Sequence, residues 1–256
     1  NWQNKADNIR QMALDLNIGL DSMVFIDDNP TERALVKQEL PEVEVPDFPN
    51  QAFELPVFLK YVSEKYFSIY SLTKEDLSKT EQYKANALRN NSKALFTDMN
   101  EYIKSLDIKL TISEVNEITI PRVAQMTQKT NQFNLTTPRY TDGDIIRLIN
   151  DGNMILTLSV ADKFGDNGIT GLTIITGTDN KSYIDTFLLS CRILGKDIEF
   201  VFVNYLLSKL QREGYKSVFA QYIPSPKNGQ VKDFWDKCGF TLISENELGV
   251  RAYEKS

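Results

Sequence analysis

The sequence predicts an α/β (α+β) chain in two parts, and three observations carry that reading. A short strand, helix and strand open the chain, a polar helical stretch follows, and from residue 106 strands alternate with helices to the end. The 256 residues exceed one small core and suit two modest ones. Hydrophobic and charged contents of 41% and 25% are ordinary for a globular protein.

Residues 4–17 place Ile9, Met12, Ala13 and Leu16 at helical spacing, with Gly19 as a stop. Met23–Ile26 reads as an apolar strand ending in Asp27-Asp28. Asn29-Pro30-Thr31-Glu32 then starts a helix: Asn29 caps, Pro30 takes the first helical position, and Glu32 stands three residues after the cap. This helix runs to about Leu40, and Val43–Val45 forms a second strand. Strand, helix, strand in that order implies a parallel pair with a crossover. Pro46, Pro49 and Pro56 close this region, which is taken as residues 1–56. Residues 57–105 are expected to be a helical linker, with the aromatic segment Tyr61–Tyr70 as packing and Thr73 and Asp76 marking a helix start.

The last region, 106–256, begins with alternation at Lys109–Ile112. Helices follow near 118–130 and 141–150, flanking the polar run Thr130–Tyr140. Strands are predicted at 153–161, 168–176 and 182–190. The turns between them, Lys163–Gly168 and Gly177–Asn180, are rich in residues that tolerate positive φ. Phe200, Val203, Leu206, Leu207 and Leu210 line one face of a helix over 197–213. A strand at 217–223, a helix at 228–238 and strands at 240–243 and 249–254 complete the order.

Histidine is absent, which removes Ser-His-Asp and Cys-His catalysis and His-ligated zinc together. Acid–base work is left to Asp, Glu, Lys, Tyr, Cys or water. Two cysteines, Cys191 and Cys238, make no disulfide framework, and a reducing, cytoplasmic setting is expected. A net charge of −6 offers no general field for nucleic acid. No window approaches the roughly 18 apolar residues of a membrane span. No basic-then-apolar leader is visible, and a start at Asn1-Trp2 is expected of a fragment.

The order β-α-α-β-β-β-α-β-α-β-β from residue 106 resembles the GNAT acyl-CoA N-acyltransferase fold. Arg192-Ile193-Leu194-Gly195-Lys196-Asp197, opening the long helix, resembles that family's pyrophosphate loop, where backbone N–H groups and the helix end hold an acyl-CoA. The resemblance makes Arg192, Gly195, Lys196 and Asn228 the expected contacts to CoA or phosphopantetheine. The groove between 184–190 and 217–223 would hold the pantetheine. Asn228, Phe234, Trp235 and Gly239-Phe240 resemble the family's closing signature. Two departures stand out. Asp197 sets a carboxylate where phosphates would sit, and Trp235 replaces the tyrosine that protonates the leaving thiolate.

Lys5 and the run Val24–Arg33 resemble two motifs of haloacid-dehalogenase-type phosphatases, implying a partial Rossmann-like segment. In that family the lysine, here Lys5, neutralises the phosphoryl group, and carboxylates, here Asp27 and Asp28, hold Mg²⁺. Carboxylates just past a parallel strand also stand where open α/β sheets bind ligands, although a helix-capping turn explains them as well. The family's Asp-x-Asp nucleophile lies upstream and is missing here, so Mg²⁺ and phosphatase chemistry are expected only where that segment is restored.

Together with Thr127–Thr137, Asp162–Asp166 and Ser190–Gly195, these stretches resemble the FkbH-like family over nearly the whole chain, most specifically at Thr130-Asn131-Gln132-Phe133-Asn134-Leu135-Thr136-Thr137. The resemblance implies loading of a glyceryl unit from 1,3-bisphosphoglycerate onto an acyl carrier protein, for methoxymalonyl-type polyketide extender units. It implies a carrier-protein partner and a small-molecule acyl donor, with no nucleic acid and no membrane.

Within this frame Cys191, beside the groove, is the candidate acyl-carrying thiol, activated by Arg192 and the helix end; packing as a small hydrophobe is the alternative. Tyr222 is the candidate proton donor. Asn131, Gln132, Asn134 and Thr136, with Thr137 and Arg139, are expected to line an acceptor site, the alternative being a loop that satisfies its own backbone. Asp162–Asp166 reads as a hairpin turn and Cys238 as packing. The leading expectation is an acyltransferase-like module for a pantetheine thioester; the rival is a non-catalytic module that docks a carrier protein.

Overall fold

The computed structural model describes residues 4–16, 18–67, 79–178 and 181–256. The chain divides into two units, Asn1–Leu95 and Phe96–Ser256. Asn1–Gln3, the helix start expected at Thr73 and Asp76, and Asp179-Asn180 of the second predicted turn lie outside the described residues.

The first unit holds α1 (Lys5–Leu16), α2 (Pro30–Glu39), α3 (Leu55–Tyr66) and α4 (Lys79–Lys93). Helix α2 begins as its sequence dictates: the Asn29 side chain accepts from the Thr31 N–H at 2.9 Å, and Pro30 supplies a preset φ where no donor is needed. Ala6 and Ile9 of α1, Val36 of α2, and Leu40, Val43 and Val45 form a small core. The expected parallel pair is reduced to one bridge, Val24 to Glu44. The Phe25 N–H donates to the Glu44 carbonyl at 2.8 Å, and the Glu44 N–H to that of Met23 at 3.1 Å.

The second unit starts with α5 (Met99–Ser105) and is organised by one large sheet. Its strands are β1 (Lys109–Glu114), β2 (Phe133–Asn134), β3 (Met154–Asp162), β4 (Gly165–Thr178), β5 (Lys181–Leu189), β6 (Ser217–Tyr222), β7 (Thr241–Glu245) and β8 (Arg251–Lys255). They lie in the order β1-β3-β4-β5-β6-β8-β7, with β2 attached to β5. All these pairs are antiparallel except β5 with β6. Period-two alternation sends neighbouring side chains to opposite faces. Ile174 and Leu188 join Val123 and Met126 of α6 (Ile120–Lys129) and Ile145 of α7 (Asp142–Asn150). Ile175, Phe187 and Leu189 join Phe202, Leu206 and Leu210 of α8 (Ile198–Arg212), with Phe234 and Trp235 of α9 (Phe234–Lys237). Each such side chain contributes about 1.5–3 kcal/mol by leaving water. The unit is therefore α-β-α layered, in the GNAT-like order expected.

Two expectations are corrected. The helix predicted over 228–238 is a single 3₁₀ turn, Gly229–Val231, followed by the four-residue α9, because the Asn228 side chain holds the preceding turn instead of entering a helix. The turn predicted at Lys163–Gly168 is tighter: β4 starts at Gly165, which pairs with Asp162.

Candidate active site and thioester slot

In the first unit the Asp27 carboxylate accepts from the Asn29 N–H at 2.9 Å through one oxygen and meets Lys5 Nζ at 3.6 Å through the other. Arg33 donates to the Asp27 and Asp28 carbonyls at 2.8 and 2.9 Å, which fixes the turn. Lys5 and Asp27 are thus brought together, whereas the Asp28 side chain is exposed to solvent. Mg²⁺ takes near-octahedral oxygen ligation. Two carboxylates, one of them engaged by a lysine, do not supply it. Among the described residues no group of three acidic, histidine or cysteine side chains is placed to hold a metal. These residues by themselves do not fit a Mg²⁺ site.

In the second unit the decisive place is where β5 and β6 part. They pair in parallel only over Lys181–Ile184 and Ser217–Ala220. Beyond Ile184 the strands separate, as a slot requires. The chain itself fills the space. Phe133 and Asn134 pair antiparallel with Leu189 and Leu188. The Leu135 N–H donates to the Phe187 carbonyl at 3.2 Å, and its carbonyl accepts from the Ile223 N–H at 2.8 Å, so one residue bridges both walls. Thr136 Oγ1 donates to the Asp185 carbonyl at 2.6 Å. The β5 edge that a pantetheine amide would pair with is taken up.

Asn228, fully buried, seals this arrangement. Its Nδ2 donates to the Asn134 and Ile223 carbonyls at 2.8 and 2.9 Å. Its Oδ1 accepts from the Ser225 N–H at 2.7 Å and the Tyr222 hydroxyl at 3.2 Å. Two donors and two lone pairs are all an amide has. No capacity is left for a cofactor. Asn134 also turns its side chain inward, donating to the Thr130 carbonyl at 3.2 Å and accepting from the Thr137 N–H at 2.9 Å. Of the other loop residues, Asn131 accepts from Arg139, and the Gln132 carbonyl accepts from Gln230 at 3.3 Å.

Aromatic packing closes the slot on the α8 side. Phe187 stacks on Phe234 at 5.4 Å and meets Trp235 at 5.6 Å, while Phe133 meets Phe234 edge-on at 5.1 Å. Trp235 donates its indole N–H to the Gln221 carbonyl at 3.0 Å. Burial pushes the Tyr222 phenol above its ordinary value, and its hydroxyl is already engaged with Asn228.

The amino end of α8 is open but acidic. Gly195 has φ +74° and nothing within 4 Å of where a Cβ would stand. Asp197 caps the helix at φ +57° without a side-chain bond. Glu199 follows in the first turn; burial, and then the nearby Asp197 charge, raise its pKa, and its Oε2 is buried without a hydrogen-bond partner among the described residues. Arg192 Nε donates to Ser190 Oγ at 3.2 Å, and Lys196 is half-buried. Two carboxyl groups therefore stand in the cap and first turn of a helix end that would otherwise favour an anion. Cys191 lies at the end of β5, half-buried, and burial raises its thiol pKa against the smaller opposing effect of Arg192. That burial opposes the activation expected of it beside Arg192. Burial pushes the Cys238 thiol up to about 12, as packing requires.

Sequence reasoning missed the other side of the slot. Tyr140 donates to Asp185 Oδ2 at 2.7 Å, and Asp185 lines an open cleft of about 570 Å³. Its one signal was a carboxylate interrupting the otherwise apolar end of β5.

No family model matches the sequence, and no curated protein matches it. Among solved structures, the chain is similar to the ribosomal-protein-S18-alanine N-acetyltransferase from Escherichia coli (10% identity, 57% of this chain and 91% of that chain, TM-score 0.44). It is similar also to the PaiA N-acetyltransferase from Thermoplasma acidophilum, solved in complex with coenzyme A (14%, 58% and 99%, TM-score 0.44). A third is Ard1 from Thermoplasma volcanium (16%, 57% and 94%, TM-score 0.42). The fold assignment stands on the strand order and register given above.

Proposed function

We propose that this chain serves acyl loading onto a carrier protein, and that its GNAT-like unit contributes by docking the carrier rather than by catalysing transfer from CoA. The observation that carries this reading is Leu135, hydrogen-bonded to both walls of the slot where a pantetheine arm would otherwise lie. The chemistry points the same way. Asn228 is saturated, Tyr222 is engaged, and burial raises the Cys191 thiol pKa. The carrier comes from the FkbH-like resemblance, which also supplies the expected glyceryl unit for methoxymalonyl-type extenders. Phosphatase chemistry belongs to this reading only if an upstream nucleophile is joined to Lys5 and Asp27.

Calorimetry on the full chain tests the proposal. Holo-carrier protein should bind saturably, CoA and acetyl-CoA should not, and acyl label from a thioester should not be retained on Cys191. Saturable CoA binding, or stoichiometric label on Cys191, overturns it. A second reading, transfer through Cys191, is favoured by one observation: the open backbone at Gly195 at the start of α8. The label experiment decides between the two.

A further inference from the structure

Beside the filled slot are two cavities that share Thr137. The smaller, about 300 Å³, is lined by Asn131, Thr137, Arg139, Ser225, Pro226 and Lys227. In a chain of net charge −6, this lining holds two cations and no acid. Arg139 is fastened by the Thr127 and Thr130 carbonyls and the Asn131 amide oxygen. All three acceptors are neutral, and among the described residues Arg139 forms no ion pair, so its charge is held in place yet uncompensated. A guanidinium fixed in this way loses little freedom when it meets an anion. Hydroxyls on Thr137 and Ser225 add donors suited to a tetrahedral anion. Thr137 itself sits at φ +62°, a conformation that a β-branched residue rarely adopts and that recurs at ligand sites.

The larger cleft has a different chemistry. Tyr183 and Phe219 stack along it at 5.0 Å and 20°, and Asp185 uses one oxygen for Tyr140 and Thr186. The other oxygen has no partner among the described residues and can accept from a hydroxyl or an amine.

We propose that the smaller cavity binds the phosphate of a small phosphomonoester whose body passes Thr137 into the larger cleft. The phosphate cavity is lined by none of the slot's wall residues, whereas the larger cleft shares Thr136, Asp185 and Ile223 with them, so phosphate binding is read independently of the docking reading. Its probes are inorganic phosphate and phenyl phosphate, titrated into the full chain by calorimetry. Phosphate should bind saturably, phenyl phosphate at least threefold more tightly, and Lys227→Glu should weaken both at least tenfold. Because Arg139 also holds its own loop, Arg139→Gln is a secondary variant, interpreted only with an unchanged melting temperature. No saturable binding of either probe, or binding unaltered in Lys227→Glu, overturns the site. Phenyl phosphate binding no tighter than phosphate overturns the extension into the larger cleft. Failure of carrier binding in the separate calorimetry leaves this result untouched.

Discussion

Two clusters of polar residues, one in each unit, carry sequence signatures and have opposite physical characters. At the first, Lys5 meets a partly buried Asp27, and the Asp28 carboxylate faces water. At the second, Asn134 and Asn228 are fully buried and use their amides on the chain itself. An ion pair that water still reaches contributes little to stability and keeps its capacity for a partner. A buried amide with every hydrogen bond made contributes much and offers nothing outward. A motif by itself does not separate these cases; burial and hydrogen-bond saturation do.

The sharpest way to break this contrast is Asn228→Ala. It strands two carbonyls, an N–H and a hydroxyl, and should lower unfolding stability by about 3 kcal/mol or more, read by urea denaturation. A loss below about 1 kcal/mol would mean the seal is wet and the slot accessible. Glu199 gives a smaller effect with a pH signature. Its carboxyl titrates above the ordinary 4.5 in the folded chain, so the folded state holds that proton more tightly than the unfolded one. The sign follows: stability is greatest below the unfolded pKa, falls as pH rises through it towards the folded pKa, and stays reduced above. Glu199→Gln should remove that decline and stabilise the chain at neutral pH by less than about 1 kcal/mol after solvent screening. Thermal melts across pH check it, and a variant that keeps the decline contradicts the assignment. Lys5→Ala should have the smallest effect, about 0.5 kcal/mol or less. A larger loss would show that the pair is structural after all.

Most of the fold was legible because long elements repeat their pattern. The predicted helix over 197–213 is α8 within a residue at each end, and the strand predicted at 182–190 is β5 shifted by one. Asn29-Pro30 announced α2 through local chemistry alone. The failures have causes as definite. Strand β2 has two residues, too few to show any period, and it earns its conformation from β5, about 55 residues along the chain. The polar string Asn131–Thr137 therefore read as an acceptor loop, while its apolar members Phe133 and Leu135 are what fill the slot. The helix expected at 228–238 shrank because Asn228 holds a turn, a preference that only its distant partner at Asn134 reveals. Cys191 looked activated beside Arg192, and its burial, which outweighs that charge, depends on packing that no local sequence records.

The contact between Asn228 and the Asn134 carbonyl joins residues 94 positions apart. Closing so large a loop costs entropy before the contact can return any stability, which ties the order of folding to the order of synthesis. A chain emerging amino end first carries Phe133 and Leu135 uncovered until β5, β6 and Asn228 have all been made. The string from Asn131 to Thr137 thus waits for partners made long after it.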